Sequence, residues 1–203
     1  MFWRYLILCS AQCKACTEHA VTEGRGIRLA KALGIPYKEQ LLDLMKKNFK
    51  KAFHWCSTLM EDSEYVDPVL AVFREKVPPE CLAQDSRDEF EFGDEYEADR
   101  QINFLLQNLA DYPGKGMDYL VRAISAPTVR SRALTIRTLK AWVLEAGKPL
   151  LVSYPELHKR LSEAYPMELR EDLKADMERL LDGNMDFPGE ISSEEDAEEN
   201  TDN

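Results

Sequence analysis

The chain has 203 residues, 44% of them hydrophobic, and a formal net charge of −11. This is enough apolar sequence for one sizeable core or two small ones, and it excludes a wholly unfolded chain. No stretch is long and apolar enough to cross a bilayer, and the acidic balance argues against nucleic acid as a partner.

The chain opens with Phe2-Trp3-Arg4-Tyr5-Leu6-Ile7-Leu8-Cys9. A single Arg and a short apolar run do not make an export signal, and Leu8 stands where a lipoprotein site needs a small residue. Five cysteines without an export signal point to free thiols in a reducing cytoplasm. Three of them, Cys9, Cys13 and Cys16, are spaced as Cys-x3-Cys-x2-Cys, with His19 three residues on. Thiolates at such spacing suit iron–sulfur ligation, and the motif is similar to the cluster loop of radical S-adenosylmethionine enzymes. Zinc is a second reading, with ligands drawn from Cys9, Cys13, Cys16, His19, His54 and Cys56. A third makes the three thiols small buried hydrophobes on one helix face. Gly24-Arg25-Gly26-Ile27-Arg28-Leu29 begins like a dinucleotide loop. It places Leu where the third Gly or Ala belongs, and reads as a loop entering a helix.

Leu42, Met45, Phe49, Ala52, Cys56 and Leu59 recur at three- and four-residue steps, which predicts one long helix over 37–60. Lys46, Lys47, Lys50 and Lys51 fall on its solvent side. A shorter helix is expected over 68–76, with Asp67 as its N-cap and Pro68 in its first turn. Residues 84–100 carry eight acids and two bases, so 84–97 reads as an acidic linker between an N-terminal helical unit, 1–83, and a second helical unit, 98–183.

The second unit should begin with a helix bearing Ile102, Leu105, Leu106 and Leu109, stopped by Tyr112-Pro113-Gly114-Lys115-Gly116. A short helix with Met117, Leu120, Val121 and Ile124 follows. Pro127 breaks it, and Val129, Ala133, Ile136, Leu139 and Val143 mark the next helix, ended by Gly147 and Pro149. Ser153-Tyr154-Pro155-Glu156 has capping-box spacing. Leu157 and Leu161, then Leu169, Leu173, Met177 and Leu180 complete the array, with Gly183 as the C-terminal cap. Residues 184–203 read as a disordered acidic tail; Glu190 to Asn203 hold seven acids and no base, the bulk of the net charge. No alternating strand pattern occurs, so the fold class expected is all-α.

The block 117–146 recurs as 155–181 at an offset of about 37–40 residues, in the range of two-helix solenoid repeats. Leu120 recurs as Leu157, Ala126-Pro127 as Tyr165-Pro166, and Arg130 as Arg170. The first copy resembles a HEAT repeat: a turn with Pro127, Val129-Arg130 opening the second helix, and Ala133 three residues on. The second copy keeps Arg170 but has Leu173 in place of the Ala. The resemblance implies a short α-solenoid that binds other macromolecules. Arg122, Arg130, Arg132, Arg137 and Lys140 make this block basic. They read either as a solvated face with salt bridges between repeats or as a docking surface for an acidic protein partner, the chain's own linker or tail included.

The run from Ala98 to Leu181 is also similar to bacterial helical proteins described as limonene hydroxylases. That resemblance implies oxidation of a monoterpene with NAD or FAD, and no residue is assigned a role by it. No Cys-x-Gly haem-thiolate motif, Glu-x-x-His di-iron motif or Walker loop is present.

Overall fold

The computed structural model describes residues 36–82 and 93–187, together with Ile27, Ala32 and Gly34. Among these residues the chain is all-α, without strands. It divides into two compact units, one taking in 91–108 with the N-terminal residues and the other running on from Leu109.

In the first unit, helix α1 (Lys38–Lys47) buries Leu41 and Met45. It stops at Asn48, where the backbone leaves helical space at φ −138°, ψ 61°. Helix α2 (Phe49–Ala52), a 3₁₀ turn (Phe53–Trp55) and helix α3 (Cys56–Met60) follow. The single helix expected over 37–60 is therefore broken. A continuous helix would stack Lys46 over Lys50 and Lys47 over Lys51, and like charges four residues apart repel. Asn48 is a weak helix former that leaves helical geometry at little cost. The apolar stripe survives the break, because Phe49, Ala52, Cys56 and Leu59 remain buried.

Helix α4 (Val66–Lys76) starts earlier than Asp67, with Tyr65 in the N-cap position. Asp67 thus lies inside the first turn, where its negative charge is favourable against the positive end of the helix dipole. Pro68 sits where a missing N–H costs nothing. Helix α5 (Glu97–Leu106) buries Ile102, Leu105 and Leu106. Although the sequence pattern groups it with the following helices, it packs on α3 and on the Phe53–Trp55 turn. Edge-on ring pairs, Phe49 on Phe73 at 4.9 Å and Phe53 on Phe104 at 5.1 Å, fill this core.

Cys56 is fully buried and donates its thiol to the Phe104 carbonyl at 3.3 Å. Burial pushes this thiol up to about 12, so almost none of it is thiolate at neutral pH. Cys81 is exposed. Iodoacetamide on the folded protein should label the Cys81 peptide and leave the Cys56 peptide untouched until denaturant is added. Peptide mass mapping reads this, and early labelling of Cys56 would refute the packing.

In the second unit, a 3₁₀ turn (Leu109–Asp111) and the Gly114–Gly116 turn lead into helix α6 (Met117–Ala123). Helix α7 (Val129–Ala146) follows. Thr128 caps it, its hydroxyl accepting from the Ser131 amide and donating to the Ser131 hydroxyl at 2.7 Å. Gly147 closes it in the left-handed region at φ 59°. Helix α8 (Leu150–Ser153), helix α9 (Pro155–Ala164), a 3₁₀ turn (Tyr165–Met167) and helix α10 (Glu171–Asp182) complete the unit. The capping box expected at Ser153 is not formed. Ser153 ends α8, Tyr154 takes the N-cap position of α9, and the buried Ser153 hydroxyl has no hydrogen-bond partner among the described residues.

Gly183 ends α10 at φ 73°, and the Asn184 amide reaches back to the Arg179 carbonyl at 2.9 Å. A Cβ here would come within 3.2 Å of Pro149 Cβ, so both the left-handed turn and the close approach select glycine. Helix α6 packs on α9 and α7 on α10, while α6 also packs on α7 and α9 on α10. First helix meets first helix and second meets second across the two helix–turn–helix pairs.

Candidate functional site

Three of the five basic residues singled out in the sequence are drawn into the unit. Arg132 is buried on α7, and its guanidinium spans two turns of the chain. Nη1 donates to the Ala126 carbonyl at 2.9 Å and the Pro127 carbonyl at 2.6 Å. Nε and Nη2 donate to the two oxygens of Glu168 at 2.6 and 3.2 Å. This is the bidentate fork that only arginine supplies. Glu168 Oε1 also accepts from the Leu169 and Arg170 amides, each at 2.9 Å. One ion pair thus ties the turn before α7 to the turn before α10.

Burial on its own would raise the Glu168 carboxyl. The Arg132 hydrogen bond, the two backbone amides and the Arg132 charge outweigh it and hold the group below its ordinary value. The pair is therefore charged and fully hydrogen-bonded in place, the condition under which a buried ion pair is tolerated.

Lys140 is also buried. Its ammonium donates to Asp176 at 3.1 Å and lies 4.8 Å from the centre of the Phe187 ring. Asp176 accepts from Arg179 at 3.1 Å as well. Arg132–Glu168 and Lys140–Asp176 span the same sequence separation, 36 residues. Arg122 is half-buried, and its Nε has no hydrogen-bond partner among the described residues.

Arg130 and Arg137 differ from these: both are exposed on α7. Seven residues make about two turns, so they share a face, about 10.5 Å apart along the axis. Leu144 continues the same step and is 46% exposed. Ala133, Leu134 and Ala141, between them, are half-exposed. The result is a stripe of two arginines and an exposed leucine over small and aliphatic side chains. It is opposite in character to the side of α7 that holds Ser131, Arg132, Thr135, Ile136, Leu139, Trp142 and Val143.

Glu168 is the residue the sequence pattern did not single out. Its signal lies in the separation from Arg132, close to the repeat offset. Arg170, matched to Arg130 by sequence, is exposed and pairs with Asp172 at 2.7 Å.

Cys9, Cys13, Cys16 and His19 lie outside the described residues. Of the other zinc candidates, Cys56 is bonded to the Phe104 carbonyl, and His54 is half-buried against the Trp55 ring at 4.6 Å. Burial lowers the His54 imidazole from its ordinary value. Among the described residues no three His, Cys, Asp or Glu side chains stand together as a metal site. No helix among them is long and apolar enough to cross a membrane. The chain matches no protein-family model, and comparison with curated proteins and with solved structures gives no match.

Proposed function

We propose that the second unit is a docking module for an acidic, amphipathic segment of a partner protein, received along α7. The observation that carries this reading is the exposed stripe of Arg130, Arg137 and Leu144 along one face of α7. Carboxylates would pair with the two guanidiniums, and an apolar side chain one or two turns away would cover Leu144. We read 117–146 and 155–181 as two stacked HEAT-like pairs presenting this stripe. The like-with-like helix packing and the two ion pairs of equal separation support that reading.

The test uses a fluorescently labelled helical peptide with Glu at two-turn spacing and Leu between. It should bind the full chain at low salt, and Arg130→Glu with Arg137→Glu should weaken binding roughly tenfold or more. Arg132 is left unchanged, because reversing it would break the buried pair. Both replaced positions are exposed, and urea titration of the reversed protein checks that folding is kept. Equal binding by the reversed protein, with an unchanged far-ultraviolet spectrum, would sink the proposal.

A further inference from the structure

Lys46, Lys47, Lys50 and Lys51 stand at the corner of the first unit where α1 ends and α2 begins, and all four are exposed. Two of them make long, open ion pairs: Lys46 lies 3.8 Å from Asp43, and Lys50, 79% exposed, lies 3.5 Å from Glu97. Lys47 and Lys51 make no ion pair among the described residues. The break at Asn48 takes the four charges off one continuous helix but leaves them together. Even a fully extended chain from Lys46 to Lys51 spans no more than about 18 Å.

We propose that this corner docks the first unit on an anionic phospholipid surface. The site shares no residue with the stripe on α7. Its charge is complementary to lipid phosphate, and lysine is the fitting cation. An ammonium is a compact point charge suited to phosphate oxygens, whereas carboxylates select the arginine fork. Residues 46–51 hold four lysines and no arginine. Repulsion among the four, which a continuous helix would concentrate, is offset by a surface of opposite charge. Each lysine close to such a surface strengthens attachment about fivefold.

The net charge of the whole chain, −11, does not cancel this attraction. Acids of the same unit gather at the other end of α1, where Glu61, Glu64 and Asp67 are exposed next to Asp62, which Lys38 holds at 2.7 Å. Eight residues of helix put Lys38 and Lys46 about 12 Å apart, more than the screening length of about 8–10 Å near physiological salt. A bilayer also suits a small patch better than a nucleic acid does. Its lipids move and gather under four charges, while the fixed phosphates of a polymer run on past them toward the acidic end of α1.

Co-sedimentation of the full chain with vesicles tests this. Vesicles of phosphatidylcholine with about 30% phosphatidylserine should bind the protein at about 0.1 M salt and release it at about 0.5 M, and phosphatidylcholine alone should not bind it. Lys47→Gln with Lys51→Gln should weaken binding about 25-fold, two factors of five. Lys148→Gln with Lys159→Gln, at two exposed lysines of the second unit, changes the net charge equally and should shift binding by less than about twofold. Far-ultraviolet circular dichroism checks that both variants fold. Weakening confined to the first pair supports the site. Equal weakening by the two pairs, or equal binding to the two kinds of vesicle, overturns it. Absence of binding to either vesicle overturns it as well, and a labelled oligonucleotide held through Lys47 and Lys51 would then make nucleic acid the occupant instead.

Discussion

Arg132→Ala should destabilise the second unit by about 3–5 kcal/mol, the cost of leaving a buried charge without its partner. The reasons are on both sides of the bond. Glu168 is 3% exposed and would lose both guanidinium bonds, while the Ala126 and Pro127 carbonyls would lose their shared donor. A domain of this size holds about 5–15 kcal/mol in total, so the unit would be left marginal. Glu168→Gln should cost somewhat less, since the amide keeps one acceptor. The pair Arg132→Met with Glu168→Leu should recover part of the loss, because no charge is then stranded. Urea titration followed by circular dichroism measures all four proteins. A cost below about 1 kcal/mol for Arg132→Ala would mean that the clamp does not hold the two turns together. The pH dependence follows from the same pair. The Glu168 carboxyl is lowered on folding, so its contribution is fully present above the unfolded value, about 4.3. It is lost as pH falls through the lower folded value. The difference in stability between the natural protein and Glu168→Gln should hold steady near neutrality and shrink only in acid below about pH 4.

The helices of the second unit are legible because their signals are local. Leu120, Ile136, Leu139, Leu157, Leu161, Met177 and Leu180 repeat at helical spacing, and all are buried. Gly147 and Gly183 stand at ends where a left-handed residue is required. What was not legible depends on distant partners. An arginine in an amphipathic helix reads as solvent-facing, and nothing near Arg132 in sequence says otherwise. Only Glu168, in another turn, draws it inward. Lys140 follows the same rule with Asp176. A basic block was therefore visible in the sequence, while the division between its two buried cations, the half-buried Arg122 and its two exposed arginines was not. The break at Asn48 was hidden for a different reason: the apolar stripe continues through it, so periodicity alone sees one helix.

This division would let one helix serve both stability and the docking proposed above. Arg132 and Lys140, on the side of α7 that meets α10 and the turns, carry charge paired in place, while Arg130 and Arg137 are exposed. The two sets interleave along the sequence and separate only on the helical wheel. A variant meant to probe docking must leave the inward set alone, and a variant meant to probe stability should leave docking intact in whatever fraction remains folded.

Trp142 is the sharpest case of the second kind, and Trp142→Ala should cost about 3–5 kcal/mol. The indole is fully buried, lies tilted against the Tyr154 ring with centres 5.0 Å apart, and donates to the Leu109 carbonyl at 2.8 Å. It thereby fixes the Leu109–Asp111 turn on α7. Trp142→Phe should cost far less, about 1–2 kcal/mol, since most of the ring volume stays. The Leu109 carbonyl is not stranded by this change, because the Tyr112 amide still donates to it at 3.1 Å. Both variants lie on the side of α7 away from Arg130 and Arg137. The phenylalanine protein should therefore bind the labelled acidic peptide as tightly as the natural one while unfolding at lower urea. Loss of peptide binding by a folded Trp142→Phe protein would show that the stripe and the core of α7 are not separable, and would overturn the assignment of docking to its outer face.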